Sequence, residues 1–149
     1  MIKKITAHRY HDFSTGHRVY QHESKCAHLH GHNYRIHFYC EAPQLDSVGR
    51  VIDFSDIKTY LCNWLEDEWD HRLLLAYDDP LLEDFKQLHE KGGVNLNVMP
   101  EGYGPGIEDS CKYIYDKITP MIALKTFGRA WIENIRIYEH ENNWADYGL

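Results

Sequence analysis

Two segments hold the residues best suited to chemistry: Phe13-Ser14-Thr15-Gly16-His17 and Cys26-Ala27-His28-Leu29-His30-Gly31-His32. Side chains alternate along an extended strand, so His30 and His32 point to one side if their segment is a strand. His17 closes the first segment, where an antiparallel partner would bring it opposite that pair. Three imidazoles suit zinc and leave a fourth position open for water or substrate, which marks a catalytic site rather than a closed structural one. Gly31 removes a side chain between the two histidines and permits close backbone approach. Two roles stay open for Cys26: a thiolate base or nucleophile beside the metal, or the fourth ligand of a closed zinc site.

Further candidates lie downstream. Asp70-His71 can act as a proton shuttle whose basicity the carboxylate tunes. At the end of a helix the same pair also reads as a surface feature in which the histidine favours the helix dipole. Glu139 ends Ile137-Tyr138-Glu139 and shares a strand face with Ile135 and Ile137. An inward carboxylate is costly unless paired, so Glu139 is either a ligand anchor or a rim residue. Glu108 reads as a first-turn helix acid. The other histidines lack partners at useful spacing and none is expected to bind metal; His8, His11 and His37 read as lining a strand surface.

The elements that must position these groups follow from periodicity. Residues 2–14 alternate as a strand with Ile5, Ala7, Arg9, His11 and Phe13 on one face. Asn33 to Glu41 is a second strand, with Tyr34, Ile36, Phe38 and Cys40 together, and the two are expected to pair antiparallel. Asp53 caps a helix that places Ile57, Leu61, Trp64 and Leu65 on one stripe and runs to about Trp69. Asp79-Pro80 opens a second helix ended by Gly92-Gly93. A third helix carries Ile107, Cys111, Ile114 and Ile118 and is expected to stop near Pro120. Trp131 to His140 is a last strand, with a shorter one within Val94 to Met99. The order β-β-α-α-α-β predicts one α+β domain over residues 1–149, an antiparallel four-stranded sheet packed against helices.

Composition narrows the function. A chain of 149 residues that is 43% hydrophobic can bury a real core. Its net charge of −7 argues against nucleic-acid binding. No apolar run is long enough to span a membrane, and the first residues lack the apolar stretch of a signal peptide, so the cytoplasm is the expected compartment. Cys26, Cys40, Cys62 and Cys111 have no paired spacing and read as reduced thiols.

Together these segments resemble the 6-pyruvoyl-tetrahydropterin synthase superfamily, whose T-fold packs an antiparallel sheet against helices. Phe13-Ser14-Thr15-Gly16-His17 resembles the first metal-histidine segment of that family. Cys26 with His30-Gly31-His32 resembles its Cys-x-x-x-His-Gly-His motif. Gly49 to Lys58 resembles its Gly-x-x-x-Asp-Phe turn, Trp69-Asp70-His71 its Leu-Asp-His, and Ile137-Tyr138-Glu139 its last strand. The short interval from Cys26 to His30 is similar to that of the bacterial 6-carboxy-5,6,7,8-tetrahydropterin synthase branch.

The resemblance implies a zinc lyase of queuosine biosynthesis acting on 7,8-dihydroneopterin triphosphate. Its metal would sit on His17, His30 and His32, with Cys26, Asp70 and His71 catalytic and Glu139 anchoring the pterin. A pyruvoyl-forming synthase or other dihydropterin side-chain lyase is the alternative within the fold, and a non-catalytic zinc-binding protein the alternative outside it. The resemblance further implies trimers stacked into hexamers, with active sites between subunits. Lys25, Arg18 and Arg35 are candidates for the triphosphate by position. One departure is Pro105-Gly106-Ile107-Glu108-Asp109, which lacks the threonine of the family's Pro-Thr-x-Glu-Asn. Another is the long segment from Asp78 to Gly104.

Overall fold

The computed structural model describes residues 4–149. Strand β1 (Thr6–His17) pairs antiparallel with β2 (His30–Glu41) in unbroken register from Thr6↔Glu41 to His17↔His30. Residues 2 and 3 of the expected first strand lie outside the described residues. β2 begins at His30 rather than Asn33, so the His30-Gly31-His32 motif is itself strand.

A helix follows in three pieces without a break: α1 (Phe54–Ile57), a π turn (Lys58–Cys62) and α2 (Asn63–Glu68). As expected, Asp53 caps it, accepting a hydrogen bond from the Ser55 amide at 2.9 Å. The chain then enters β3 (Arg72–Leu75), crosses α3 (Leu82–Glu90) and β4 (Leu96–Val98), and runs through α4 (Ile107–Lys125) to β5 (Trp131–His140) and β6 (Asn143–Gly148).

Three expectations need correction. The sheet has six strands rather than four, in the order β4-β3-β1-β2-β5-β6. It is also mixed, because β3 runs parallel to both β1 and β4. Neither β3 nor β6 was anticipated: Arg72–Leu75 is a short apolar run without alternation, and β6 is a polar, mostly exposed edge. Finally, α4 passes through Pro120 instead of ending there. Pro120 is exposed, so the bond lost at its nitrogen lies on the solvent side, while Ile118 and Ile122 on the other side are fully buried.

The helix from Phe54 to Glu68 and α4 pack on one face of the sheet. Phe13, Tyr34, Ile36, Phe38, Ile135 and Ile137 project from the strands against Ile57, Leu61, Leu65, Trp69, Ile114 and Ile118. Each such side chain contributes about 1.5–3 kcal/mol by leaving water. Phe13 meets Tyr34 and Trp69 edge-on, with ring centroids 5.6 and 6.4 Å apart. The opposite face carries His8, Tyr10, Asp12, Arg35, His37 and Tyr39. There His8 and His37 share a hydrogen bond at 3.0 Å, in line with the expected histidine-lined surface. His11 instead faces the helix side and contacts Glu66 at 2.6 Å.

All four cysteines are free thiols, and burial pushes those of Cys40 and Cys111 up to about 12. Among the described residues, no helix is long and apolar enough to cross a membrane.

Candidate metal centre and active site

The β1–β2 register assembles the histidines. His17 pairs directly with His30, and Thr15 with His32, so the period of two puts all three imidazoles on the helix-facing side at one end of the sheet. From β5, Glu139 reaches the same spot. One ligand atom from each of His17, His30, His32 and Glu139 lies within 4.8 Å of all the others. His17 is buried and the other three are half-buried.

The hydrogen bonds fix which nitrogen each ring offers. His17 Nδ1 donates to the Pro105 carbonyl at 2.8 Å, and His30 Nδ1 donates to the His28 carbonyl at 2.7 Å. A carbonyl only accepts, so both Nδ1 atoms carry the proton and both Nε2 atoms of the neutral rings are bare lone pairs. Those two lone pairs face each other at 3.0 Å. His32 Nε2 is buried without a hydrogen-bond partner of proper direction, although Glu139 Oε1 lies 2.8 Å away. Burial lowers the proton affinity of His32, and Glu139 opposes this only in part. Lone pairs converging with a carboxylate in this way suit a divalent cation, and the nitrogen-rich set suits zinc among others.

Glu139 therefore sits beside the imidazoles, on the inward row that strand alternation assigns to it. The His17 imidazole, whose Nε2 lies 3.6 Å from Oε1, draws its carboxyl below the ordinary value against the effect of burial, with His32 adding to the pull. Tyr34 lies under the cluster, stacked on His32 at 5.9 Å between centroids, with its hydroxyl 3.4 Å from His17 Nδ1. Burial drives the Tyr34 phenol far above its ordinary value, so it stays neutral there. Neither the Pro105 carbonyl nor Tyr34 was singled out from sequence. Tyr34 reads only as a core position, and a backbone carbonyl leaves no signature in residue type.

Cys26 is not part of the ligand set. It sits half-buried in a 3-10 turn, Lys25–Ala27, within the β1–β2 connection. A closed site with Cys26 as fourth ligand does not match this arrangement.

Asp70 and His71 form the contact that adjacency alone does not guarantee. His71 adopts φ +57°, which turns its Nδ1 back to Asp70 Oδ2 at 2.7 Å. Two backbone links hold the pair against β1: Ser14 N donates to Asp70 Oδ1 at 2.9 Å, and His71 N donates to the Ser14 carbonyl at 2.7 Å. Burial works against ionisation of Asp70, but the Ser14 amide and the His71 ring keep its carboxyl below the usual range. The His71 side chain is 80% exposed. With Asp70 it lines a cavity of about 800 Å³ together with Asp12, Ser14, Arg35 and Tyr138, none of which belongs to the histidine cluster. A second cavity has both His71 and His30 among its lining residues.

Two of the three triphosphate candidates are already engaged. Arg18 makes a two-pronged pair with Asp79 and Arg35 another with Asp12, all four bonds between 2.7 and 2.9 Å. Lys25 is exposed.

A family model described as 6-pyruvoyl tetrahydropterin synthase matches residues 6–148. The chain is 31% identical over 135 residues to a 6-carboxy-5,6,7,8-tetrahydropterin synthase from Rickettsia typhi, covering 91% of this chain and 94% of that protein. A protein of the same name from Aquifex aeolicus is 25% identical, with 91% and 92% covered. Among solved structures, an uncharacterized protein from Wolinella succinogenes superposes with a TM-score of 0.82 at 18% identity, over 99% of both chains. The 6-pyruvoyl tetrahydropterin synthase of Caenorhabditis elegans superposes with a TM-score of 0.68 at 19% identity, over 99% of this chain and 97% of that one.

Proposed function

The chain belongs to the 6-pyruvoyl tetrahydropterin synthase family, and on that premise we propose that it is a metal-dependent lyase acting on a pterin side chain. The reaction is conversion of 7,8-dihydroneopterin triphosphate to 6-carboxy-5,6,7,8-tetrahydropterin, with release of acetaldehyde and triphosphate. The observation that carries this reading is the convergence of three imidazole nitrogens and one carboxylate within 4.8 Å. The carboxy-forming branch is chosen on the short Cys26-to-His30 interval and on the names of the curated relatives.

His17, His30 and His32 would hold the ion, zinc by expectation, each offering Nε2. When bound, such an ion supplies Lewis acidity toward the side-chain hydroxyls of the substrate. Cys26 removes a proton from the carbon chain. Asp70 orients His71, which relays protons on the other face of the substrate. Glu139 turns Oε1 toward the imidazoles and offers its second oxygen to the 2-amino and ring N–H groups of the pterin, a charge-assisted contact.

The resemblance to the family supports a site completed by a second copy. The assembly proposed is a homo-oligomer, trimers stacking into hexamers, working in the cytoplasm and feeding queuosine (7-deazapurine) biosynthesis. A pyruvoyl-forming synthase is the alternative within the family.

Incubating metal-loaded protein with 7,8-dihydroneopterin triphosphate and identifying products by mass tests this reading. Carboxytetrahydropterin accompanied by acetaldehyde supports it. A pyruvoyl product moves the chain to the other branch, and no turnover by the loaded protein overturns the enzymatic reading.

A further inference from the structure

The segment that carries Cys26 has little packing to hold it. Its 3-10 turn buries none of its residues, and no side chain caps it. Hydrogen bonds hold it instead. Val19 N donates to the Cys26 carbonyl at 2.8 Å, and Arg18 Nη1 donates to the Ala27 carbonyl at 3.2 Å. These two bonds grip the peptide units on either side of Ala27, directly after the thiol residue.

Arg18 is itself clamped. It follows the ligand His17, and its Nε and Nη2 donate to Asp79 Oδ2 and Oδ1, both at 2.7 Å. The Asp79 side chain is fully buried, and its Oδ1 also accepts from Leu81 N at 2.8 Å. Burial disfavours the Asp79 carboxylate, yet Arg18 and the Leu81 amide keep its carboxyl below the ordinary value. A paired guanidinium and carboxylate fix a plane as well as a distance, which a lysine in the same place does not. One planar group therefore joins three things: the end of β1 at the ligand His17, the buried Asp79 in the turn before α3, and the carbonyl one residue beyond Cys26. Three of its five N–H groups are thus engaged by protein.

We propose that the Arg18–Asp79 pair positions the Cys26 thiol relative to the histidine cluster. Both are positioning residues, since neither needs to touch substrate. The inference rests on the reading of Cys26 as the working base.

Two substitutions test it in the assembled, metal-loaded protein. Asp79→Asn keeps the size but loses the charge and one acceptor; Arg18→Lys keeps the charge but loses the fork. Three quantities are measured: metal per chain, steady-state kcat and KM on 7,8-dihydroneopterin triphosphate, and the rate of iodoacetamide capture of Cys26. The last is specific by mass because Cys40, Cys62 and Cys111 are buried. Misplacing a reacting group by about 1 Å lowers turnover by about 10²-fold, so that loss is expected in kcat with KM within about threefold. Metal content should be unchanged and the capture rate of Cys26 should shift at least about threefold, with Arg18→Lys retaining more kcat than Arg18→Met.

Unchanged kcat and capture rate in a folded Asp79→Asn protein would overturn the proposal. So would a loss of kcat matched by an equal loss of metal, since the pair would then merely support His17. If Asp79→Asn does not fold, Arg18→Lys decides by the same criteria. Should the parent protein show no turnover at all, the functional reading fails separately, and the capture rate alone decides whether the pair positions the thiol.

Discussion

Zinc added to stripped protein should raise the melting temperature by about 8–16 °C, and His30→Ala should remove most of that rise. His17 and His30 each give their Nδ1 proton to a carbonyl, leaving two bare Nε2 atoms 3.0 Å apart. With neutral rings no proton lies between them, so the folded chain holds a repulsion that a cation relieves. An ion that binds only the folded state stabilises it by RT ln(1 + [L]/Kd), about 4.1 kcal/mol at a thousandfold excess over Kd. In a chain of this size each kcal/mol moves the midpoint by about 2–4 °C, which gives the stated range. His30→Ala deletes one ligand and also one of the opposed lone pairs. The metal-free variant should therefore melt no lower than the metal-free parent while responding far less to zinc. Fluorimetric melting of chelator-stripped protein, titrated with zinc and with magnesium as a control, measures both effects. A parent insensitive to zinc, or a His30→Ala protein that keeps the full shift, would refute the reasoning.

Other perturbations separate the remaining roles. Cys26→Ala should retain stoichiometric metal and lose turnover; metal analysis showing loss of the ion would place the thiol in the ligand set instead. Asp70→Asn should lower turnover by about 10²–10⁴-fold at unchanged metal content, because His71 loses the carboxylate that orients it; turnover within error of the parent would remove the pair from the reaction. The folded-state pKa of Asp79 is depressed, so its pairing contributes stability above the unfolded carboxylate value of about 3.9 and loses it as pH falls through the lower folded value. Urea unfolding should accordingly show Asp79→Asn less stable than the parent at pH 7, with the gap closing below about pH 4; a gap independent of pH would contradict this. Trp69→Ala should cost about 3–5 kcal/mol in the same assay, since the indole is fully buried against Phe13 and Tyr113.

What could be read from residue order was what depends on short-range geometry. His30 and His32 share a face because strands alternate, and Glu139 points inward for the same reason, one residue before the end of β5. His17 needed one further step, the antiparallel pairing of two successive strands, and that pairing carries it opposite His30. Elements whose identity is set by distant contacts left no such trace. Leu73, Leu74 and Leu75 are equally consistent with a buried strand or a buried helix; the left-handed turn at His71 and the parallel pairing with β1 decide for strand. The same turn creates the Asp70–His71 contact, so a backbone angle invisible in residue type separates a surface pair from an oriented one. Pro120 reads as a stop only if its missing N–H matters, and on the exposed side of α4 it does not. Arg18 and Asp79 are 61 positions apart, and each alone looks like an ordinary surface charge. From its place beside His17, Arg18 reads as a free cation for phosphate. In this fold it is instead the partner that the buried carboxylate of Asp79 requires.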